Sequence, residues 1–338
     1  MIISICLPTY NREKELFKQL NIFFNQVKKI NYNYEFIVSD NNSKDKTNNV
    51  IKKFKIKLSK LKNVKFITYK QKSNVGFTKN LLKTLKLATG DYAMILSDDD
   101  YPSKYFYKKL YEKIIFLKPK GLFFVPVLKS HMAKNLQKVS FFRKISSLIK
   151  EFFFEFSYIN QRSGTMSGIM LRPKFISYSF ITKKSLYPEI NICINYYVKF
   201  GFSNFKLNEY LNLSKTGKAI IEHLNDHMSR PKDYAVVERF NINEKYLQQN
   251  LISYKQYFFA FLELSYWFYD LKYQVKYKYK NIEVFNIFNK AILPKIKNRF
   301  YFYLVSFMLI VLPIKISRKN QFSFRKFVLF ELLQFNKF

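Results

Sequence analysis

The 338-residue sequence is poor in cysteine, glycine, histidine and tryptophan, with 2 Cys, 7 Gly, 3 His and 1 Trp. Cys6 and Cys193 stand in apolar surroundings, and neither has the spacing of a metal or redox motif. This excludes the classes of protein that are built on cysteine motifs. We interpret both thiols as small core residues of a protein from a reducing compartment.

Acidic residues are also scarce, since 59 Lys+Arg stand against 23 Asp+Glu and give a formal net charge of +36. Nucleic acid, an anionic membrane surface or anionic substrates would each explain such a charge. The lysines are spread along the whole chain, as AT-rich genomes encode them, so the charge alone identifies no partner. The sequence has no helix-turn-helix, zinc or RNA-recognition signature. Nucleic-acid binding is therefore an alternative function, and we expect no specific nucleic-acid partner.

Long apolar runs are missing as well. The N-terminal residues 1–6 lack a basic region, so we expect no signal peptide. The most apolar run, residues 300–314, is shorter than the ~20 residues of a membrane span and contains Pro313. Basic residues flank this run. Three interpretations stay open: an interfacial segment on anionic lipid, a buried helix of a C-terminal helical region, or a membrane span, which the short length and Pro313 disfavour.

Hydrophobic residues make up 48% of the chain, enough for a sizeable core. Short apolar runs alternate with segments of helical spacing, and this alternation predicts a largely parallel α/β sheet with right-handed crossovers. The predicted strands are Ile2–Leu7, Tyr34–Ser39, Val64–Tyr69, Ala93–Leu96 and Gly121–Val127. The predicted helices are Glu13–Val27, Asp45–Lys57, Phe77–Ala88 and Ser103–Leu117, with Asn42 or Ser43 as the cap of the second.

Polar loops follow the first, second and fourth strands, at Pro8–Arg12, Asp40–Ser43 and Asp98–Asp100. The carboxyl ends of parallel strands share one edge of a sheet, so we expect these loops to converge there. Three adjacent aspartates repel each other, and a divalent cation would keep them ionised. Oxygen ligands together with substrate phosphates suit Mg²⁺ or Mn²⁺. The loop therefore predicts a metal–diphosphate site, and the alternative is a solvated acidic turn.

Several short motifs occur in a fixed order in the first 125 residues. They are Leu7–Arg12, Val38–Thr47, Asn74–Gly76 with Asn80, Ala88–Tyr92 and Leu96–Asp100. In this order and spacing, residues 2–125 resemble the family 2 glycosyltransferases of the GT-A fold, and among them the bacterial surface-polysaccharide transferases, including the abequosyltransferase-like group. Nucleotidyltransferases on a related sheet would need a glycine-rich loop where this chain has Pro8-Thr9-Tyr10.

The resemblance implies a GT-A domain over residues 1–230, with a mostly parallel sheet flanked by helices. Residues 1–125 would form its donor-binding half and residues 126–230 its acceptor half. A helical C-terminal region, residues 231–338, would follow and would associate with a membrane if its apolar run is interfacial.

The resemblance also implies roles for single residues. Donor-binding roles fall to Pro8, Thr9, Tyr10, Asp40, Asn74, Gly76, Asn80, Asp98 and Asp99. Within this set Asp40 would read the base edge, and Asn80 would help to shape the pocket wall. Asp100, together with Asp98, would hold Mg²⁺ or Mn²⁺ on the diphosphate. A helix-capping acid is the structural alternative for Asp40, and an ordinary helix-face amide is the alternative for Asn80.

The implied activity is metal-dependent, inverting transfer of a sugar from a nucleotide-diphosphate donor to a glycan or a polyprenyl-diphosphate-linked acceptor. The implied location is the cytoplasmic face of the inner membrane, as a peripheral protein. Such a transferase needs a general base, which the family often supplies in a Glu-Asp pair that this chain lacks. The nearest match is Glu189, at the start of a predicted helix that runs to about Phe200. A structural acid of the first helical turn would look the same, and a catalytically inactive binding subunit is a further alternative.

Two further segments are candidates for the acceptor or the diphosphate. The first is Ser163–Pro173, because a similar stretch lines the acceptor side in the resembling family. The backbone amides of Gly164 and Gly168 would then meet a sugar or a phosphate; the alternative is a plain β-turn. His223 and His227 lie four residues apart, but no third ligand supports a zinc site. His227 and Arg230 would instead close over the diphosphate, or they belong to a solvated helix face.

Overall fold

The structure is a computed structural model that describes residues 1–129, 166–179, 188–213 and 242–253, together with residues 156, 159, 162, 163, 181, 185, 256 and 257. The chain divides into two compact units, Met1–Ala260 and Phe261–Phe338, and all described residues belong to the first. This unit continues past residue 230, where the sequence suggests a boundary. Within the described residues, no helix is both long and apolar enough to cross a bilayer.

Strands and helices alternate as predicted through the first half of the chain. The strands are β1 (Ile2–Thr9), β2 (Asn33–Asp40), β3 (Val64–Lys70), β4 (Tyr92–Ile95), β5 (Tyr101–Pro102), β6 (Phe123–Phe124), β7 (Val127–Lys129), β8 (Ile169–Leu171) and β9 (Leu211–Leu213). The helices are α1 (Glu13–Val27), α2 (Thr47–Leu58), α3 (Phe77–Lys86), α4 (Phe106–Leu117) and α5 (Pro188–Phe200), with a short 3₁₀ turn at Pro173–Phe175. Residues 242–248 are also helical.

The main sheet has the strand order β3-β2-β1-β4-β8-β6. β1 pairs in parallel with both β2 and β4, whereas β8 runs antiparallel to its neighbours β4 and β6. Alternate residues of β1 face opposite sides, as the two-residue period of a strand requires. Ile3, Ile5 and Leu7 pack in the core beneath α1, α2 and α4, and Cys6 packs in the core beneath α3 and α5.

A second, smaller sheet has the order β5-β9-β7. The sequence predicts one strand over Gly121–Val127, but this segment forms two strands in two sheets. β6 joins the main sheet and β7 joins the small one, with Pro126 between them. Proline has no N–H for a strand ladder, which accounts for the break.

The start of α2 differs from the prediction that Asn42 or Ser43 caps it. Asp45 Oδ1 accepts a hydrogen bond from the Thr47 N–H at 3.0 Å and serves the first turn of the helix. The Ser43 hydroxyl is used elsewhere, because it donates to Asp40 Oδ1 and accepts from the Asn11 N–H. The polar loops after β1 and β2 are thus hydrogen-bonded to each other through Ser43. Because the Ser43 hydroxyl is used in this way, Asp45 accepts the hydrogen bond at the first turn of α2.

A buried carboxylate organises the opposite edge of the sheet, where the parallel strands begin. Glu35 accepts hydrogen bonds from the Ser4 hydroxyl, from the backbone and side chain of Thr89, and from Lys65. Burial opposes ionisation of Glu35, but these hydrogen bonds outweigh burial and lower its pKa. Ser4 Oγ in turn accepts the Gly90 N–H at 3.0 Å, and a Cβ on Gly90 would lie 2.6 Å from that oxygen, so only glycine fits there.

We expect Glu35→Gln to lower the free energy of unfolding by about 2 kcal/mol, because the new amide group faces donors that would be left without an acceptor. Chemical denaturation of the purified chain measures this. The control is Glu112→Gln, which removes a carboxylate paired with Lys109 at the surface. Surface pairs contribute little, so the control should change stability by less than about 0.5 kcal/mol. Equal losses in the two variants would contradict the role given to the buried network.

Candidate functional site

The loops after β1, β2 and β4 meet at the carboxyl edge of the sheet, where these strands end, as the sequence predicts. The Thr9 hydroxyl donates to Asp98 Oδ2 at 2.8 Å, which joins the end of β1 to the loop after β4. The Asn41 N–H donates to the Thr9 carbonyl at 2.9 Å, which joins the loop after β2 to the same point. The predicted convergence is therefore confirmed.

The acidic loop, residues 96–100, connects β4 to β5. Asp98 and Asp100 are each only 8% exposed, which contradicts the alternative of a solvated turn. Each aspartate has a hydroxyl partner: Thr9 for Asp98, Ser97 for Asp99 at 2.6 Å and Ser167 for Asp100 at 2.5 Å. The three carboxylates are thus directed by three different parts of the chain.

Gln19 of α1 is hydrogen-bonded to the backbone of the acidic loop. Its Nε2 donates to the carbonyl of Asp100 at 3.1 Å and to that of Ser97 at 3.4 Å. Sequence reasoning missed this residue. A signal was present, because Gln19 is a polar residue on the buried face of α1 between Leu16 and Leu20.

The electrostatics of the acidic loop are unusual at Asp98. Burial raises the pKa of Asp98 to about 7. The hydrogen bond from Thr9 and the charge of Arg12 act in the opposite direction, and the charge of Asp99 adds to the rise. At neutral pH the Asp98 carboxyl group is therefore about half ionised, and a bound cation would favour its ionised form.

Asp40 offers a hydrogen-bond acceptor at the end of β2. Its side chain is fully buried, and Oδ1 accepts both the N–H and the hydroxyl of Ser43, at 3.0 and 2.5 Å. Oδ2 is buried and has no hydrogen-bond partner among the residues that the structure describes. A buried acceptor without a donor is costly, so this oxygen is suited to a donor supplied by a ligand. The helix-capping alternative does not hold, since Asp45 serves the start of α2.

The segment around Asn74 and Gly76 lies beside this acceptor. Asn41 Nδ2 donates to Asn74 Oδ1 at 2.8 Å, and Asn41 Oδ1 accepts the Val75 N–H at 2.9 Å. Gly76 has φ +81°, and a Cβ there would meet nothing within 4 Å. Its backbone conformation, rather than lack of space, therefore favours glycine.

Asn80 is a bridge between the ends of β1 and β2. Its Nδ2 donates to the carbonyl of Ser39 at 2.8 Å and to that of Thr9 at 3.4 Å, and its Oδ1 accepts from the Ser39 hydroxyl and from Gln71. The side chain is 2% exposed. Asn80 is therefore no ordinary helix-face amide, and it supports the floor of the site.

Three other predicted residues occupy different surroundings. Pro8 is buried in β1 opposite Ser39, and Tyr10 is 39% exposed just beyond the strand end. Gly168 has φ +84°, and its N–H donates to the Ile95 carbonyl at 2.8 Å. The predicted contact of the Gly168 amide with a sugar or phosphate is therefore wrong, because the sheet uses that donor.

Glu189 lies in the first turn of α5 and is 4% exposed. The loop before α5 contacts the start of α3, where the Thr78 hydroxyl donates to the Ser185 carbonyl at 2.5 Å. α3 begins directly after Gly76, so this bond connects the segment just before Glu189 to the helix that follows the Asn74–Gly76 segment. The predicted residues Gly164, His223, His227 and Arg230 and the apolar run 300–314 lie outside the described residues.

The acidic loop could hold a metal only together with a ligand. Among the described residues, no group of three or more His, Cys, Asp and Glu side chains is placed to hold a metal ion. Mg²⁺ prefers one or two carboxylates together with substrate phosphates, however. Asp98 and Asp100 supply two desolvated carboxylates from one loop, and this donor set fits a cation shared with a diphosphate.

The sequence matches a known family over more than half of its length. The model of the family described as glycosyl transferase family 2 matches residues 4–186. Abequosyltransferase RfbV of Salmonella typhimurium is 40% identical over 106 residues, which are 31% of this chain and 30% of that protein. A Methanococcus voltae dolichyl N-acetyl-alpha-D-glucosaminyl phosphate 3-beta-D-2,3-diacetamido-2,3-dideoxy-beta-D-glucuronosyltransferase is 35% identical over 125 residues, 35% of this chain and 36% of that protein. The chain thus spans about a third of the length of these relatives.

The fold is similar to that of solved structures. Residues 1–349 of S. aureus TarS in complex with UDP-GlcNAc superpose with a TM-score of 0.55 at 17% identity, covering 86% of this chain and 81% of that chain. The complex with UDP gives a TM-score of 0.53 at 16% identity with the same coverage. At this identity the likeness shows a common fold, and that fold is GT-A.

The raised pKa of Asp98 predicts a pH-dependent stability. The unfolded chain ionises Asp98 near pH 3.8 and the folded chain near pH 7. Between these values the folded state binds more protons, so wild-type stability should fall with rising pH by up to about 1.4 kcal/mol per unit. We expect the free energy of unfolding of Asp98→Asn, taken relative to wild type, to increase as the pH rises from about 4 to 7. Above pH 8 this difference should stay constant. Denaturation at several pH values measures this.

Thr9→Val serves as the second variant in that experiment. It removes the hydroxyl that lowers the pKa of Asp98. The pH range over which stability falls with rising pH should therefore extend to higher pH in this variant. A constant difference between Asp98→Asn and wild type across pH 4–8 would contradict the assignment.

Proposed function

Because the chain belongs to glycosyltransferase family 2, we propose that it transfers a sugar from a nucleotide-diphosphate donor to a glycan acceptor, with the help of a divalent cation and with inversion at the anomeric carbon. The observation that carries this proposal is the meeting of Thr9, Asp40 and Asp98 at one edge of the sheet. A base acceptor and a diphosphate site would then lie on either side of the end of β1.

Asp40 supports the binding of a nucleotide base. Within the described part of the chain, its Oδ2 is buried without a donor, whereas Oδ1 already accepts two hydrogen bonds from Ser43. An N–H on the edge of a base would satisfy the remaining oxygen. Tyr10, which is 39% exposed just after Thr9, would cover a base that reaches Asp40.

Asp98, Asp99 and Asp100 support the binding of a metal and a diphosphate. Asp100 and Asp98 would hold Mg²⁺ or Mn²⁺, with Asp99 beside them, and diphosphate oxygens would complete the ligands. A cation held by these residues would act as a Lewis acid on the diphosphate, where negative charge develops as the bond between the sugar and the diphosphate breaks. The hydrogen bond that Thr9 gives to Asp98 favours the ionised form that such binding requires.

Glu189 is the proposed general base. It would take the proton of the acceptor hydroxyl while the hydroxyl oxygen forms a bond to the anomeric carbon. The bond from that carbon to the diphosphate oxygen breaks on the opposite side, and the nucleoside diphosphate leaves with the electron pair. Glu189 lies in the first turn of α5, and the acceptor would have to approach from that side if Glu189 serves as the base.

We further propose that the acceptor is a lipid-linked bacterial surface glycan and that the protein works at the cytoplasmic face of the inner membrane. The charge of +36 supports this, because the donor, a polyprenyl-diphosphate acceptor and the membrane surface are all anionic. The related proteins act on different sugars by name, so they support the class of reaction and leave the sugar open.

The decisive experiment is thermal unfolding with UDP, GDP, CDP and TDP, each with and without Mg²⁺ or Mn²⁺. We expect at least one nucleotide to raise the Tm only when the metal is present. Asp100→Asn should abolish this metal-dependent rise and lower kcat/KM for the matching nucleotide sugar at least about 100-fold.

The control for this experiment is Asp91→Asn, which changes a 60% exposed aspartate at the opposite edge and should behave as wild type. If no nucleotide protects the wild-type chain, or if Asp100→Asn keeps full activity, the proposed metal site is wrong. Protection without any turnover of nucleotide sugars would favour a catalytically inactive binding subunit.

The base assignment has its own test. Glu189→Gln should lower kcat by about 100-fold or more and leave the metal-dependent protection by nucleotide unchanged. The control Glu244→Gln alters a glutamate that accepts a hydrogen bond from Tyr257, outside the proposed site, and should keep kcat. An unchanged kcat in Glu189→Gln, together with a lower Tm, would make Glu189 a structural acid of the helix.

A further inference from the structure

Ser167 occupies a special position between the acidic loop and the strand β8. Its side chain is fully buried. Its hydroxyl donates to Asp100 Oδ2 at 2.5 Å and accepts the N–H of Ser97 at 2.9 Å. One hydroxyl therefore joins both ends of a four-residue segment that contains all three aspartates.

Ser167 is itself held rigidly. Its carbonyl accepts a hydrogen bond from Arg162 Nη2 at 2.9 Å, and the same nitrogen donates to the Val125 carbonyl at 3.0 Å. The next residue, Gly168, is bonded through its N–H to Ile95 and through its carbonyl to Val125. A Cβ on Gly168 would lie 2.6 Å from Val125 Cγ2 and 2.9 Å from Arg162 Nη2, so the turn packs closely against both residues and has no room for a larger side chain.

We propose that Ser167 is the positioning residue of the metal site: it fixes the Asp100 carboxylate in the orientation that binds the cation. This inference rests on the proposed function, since it concerns the same metal site. Three neighbouring carboxylates repel each other and would turn apart without fixed donors. A hydroxyl anchored to the main sheet holds the Asp100 carboxylate in one direction.

The arrangement also connects the two halves of the domain. Ser167 precedes β8, which the resemblance assigns to the acceptor half, and Asp100 belongs to the donor half. A change in the segment before β8 would therefore reach the metal through one hydrogen bond. Side chains that support metal ligands in this way typically change metal affinity about 10–100-fold when they are removed.

The sequence supplies a closely matched control. Ser4 is also fully buried, and its hydroxyl also donates to a carboxylate, Glu35, and accepts a backbone N–H, that of Gly90. The two serines thus make the same pair of hydrogen bonds at opposite edges of the sheet. Their loss should affect stability to a similar degree, and only the loss at Ser167 should affect the metal.

The experiment is a titration of the full chain with Mn²⁺, in the presence of the nucleoside diphosphate that protects the wild type, with free Mn²⁺ followed by electron paramagnetic resonance. We expect Ser167→Ala to weaken Mn²⁺ binding about 10–100-fold, Ser4→Ala to leave it unchanged, and Ser167→Thr, which keeps the hydroxyl, to restore most of it. In turnover, Ser167→Ala should raise the KM for Mn²⁺ more than it lowers kcat at saturating metal.

Two results would overturn the inference. Equal Mn²⁺ affinity in Ser167→Ala and wild type would show that the serine does not position Asp100, while the proposed function would stand. Equal weakening in Ser167→Ala and Ser4→Ala would show a general loss of stability instead. A wild-type chain that binds no Mn²⁺ with any of the four nucleotides would overturn the proposed metal site, and the inference with it.

Discussion

The parallel pairing of β1 with β2 on one side and with β4 on the other is the constraint on which the candidate site depends. This register places Thr9 opposite Asp40 and Cys6 opposite Ile95, so the residues after β4 emerge beside the end of β1. The two-sided core fixes the register, because Ile3 and Ile5 belong to one face and Cys6 to the other. A slip by one residue would exchange the faces and separate Thr9 from Asp98.

Buried carboxylates have opposite consequences at the two edges of the sheet. At the edge where the strands begin, Glu35 has enough donors to keep its pKa low, and it adds to stability. At the edge where they end, burial dominates at Asp98 and raises its pKa to about 7, so ionisation there opposes folding. A loss of stability on ionisation of a buried group is characteristic of sites that bind a charged ligand.

Much of the fold could be predicted from the sequence because its signals are local. Helix α1 has the predicted bounds, Glu13–Val27, since apolar residues recur at helical spacing. The meeting of the three polar loops followed from strand direction alone. The division of residues 121–127 between two sheets could not be predicted, because the partners β8 and β9 lie far along the chain. The same distance hides Ser167, whose partner Asp100 lies 67 residues earlier.

The acidic loop is anchored at both ends in different sheets, since β4 belongs to the large sheet and β5 to the small one. Only residues 96–100 lie between them. One inserted or deleted residue would turn the following carboxylates away from their hydroxyl partners, so this connection tolerates an exchange of side chains better than a change of length.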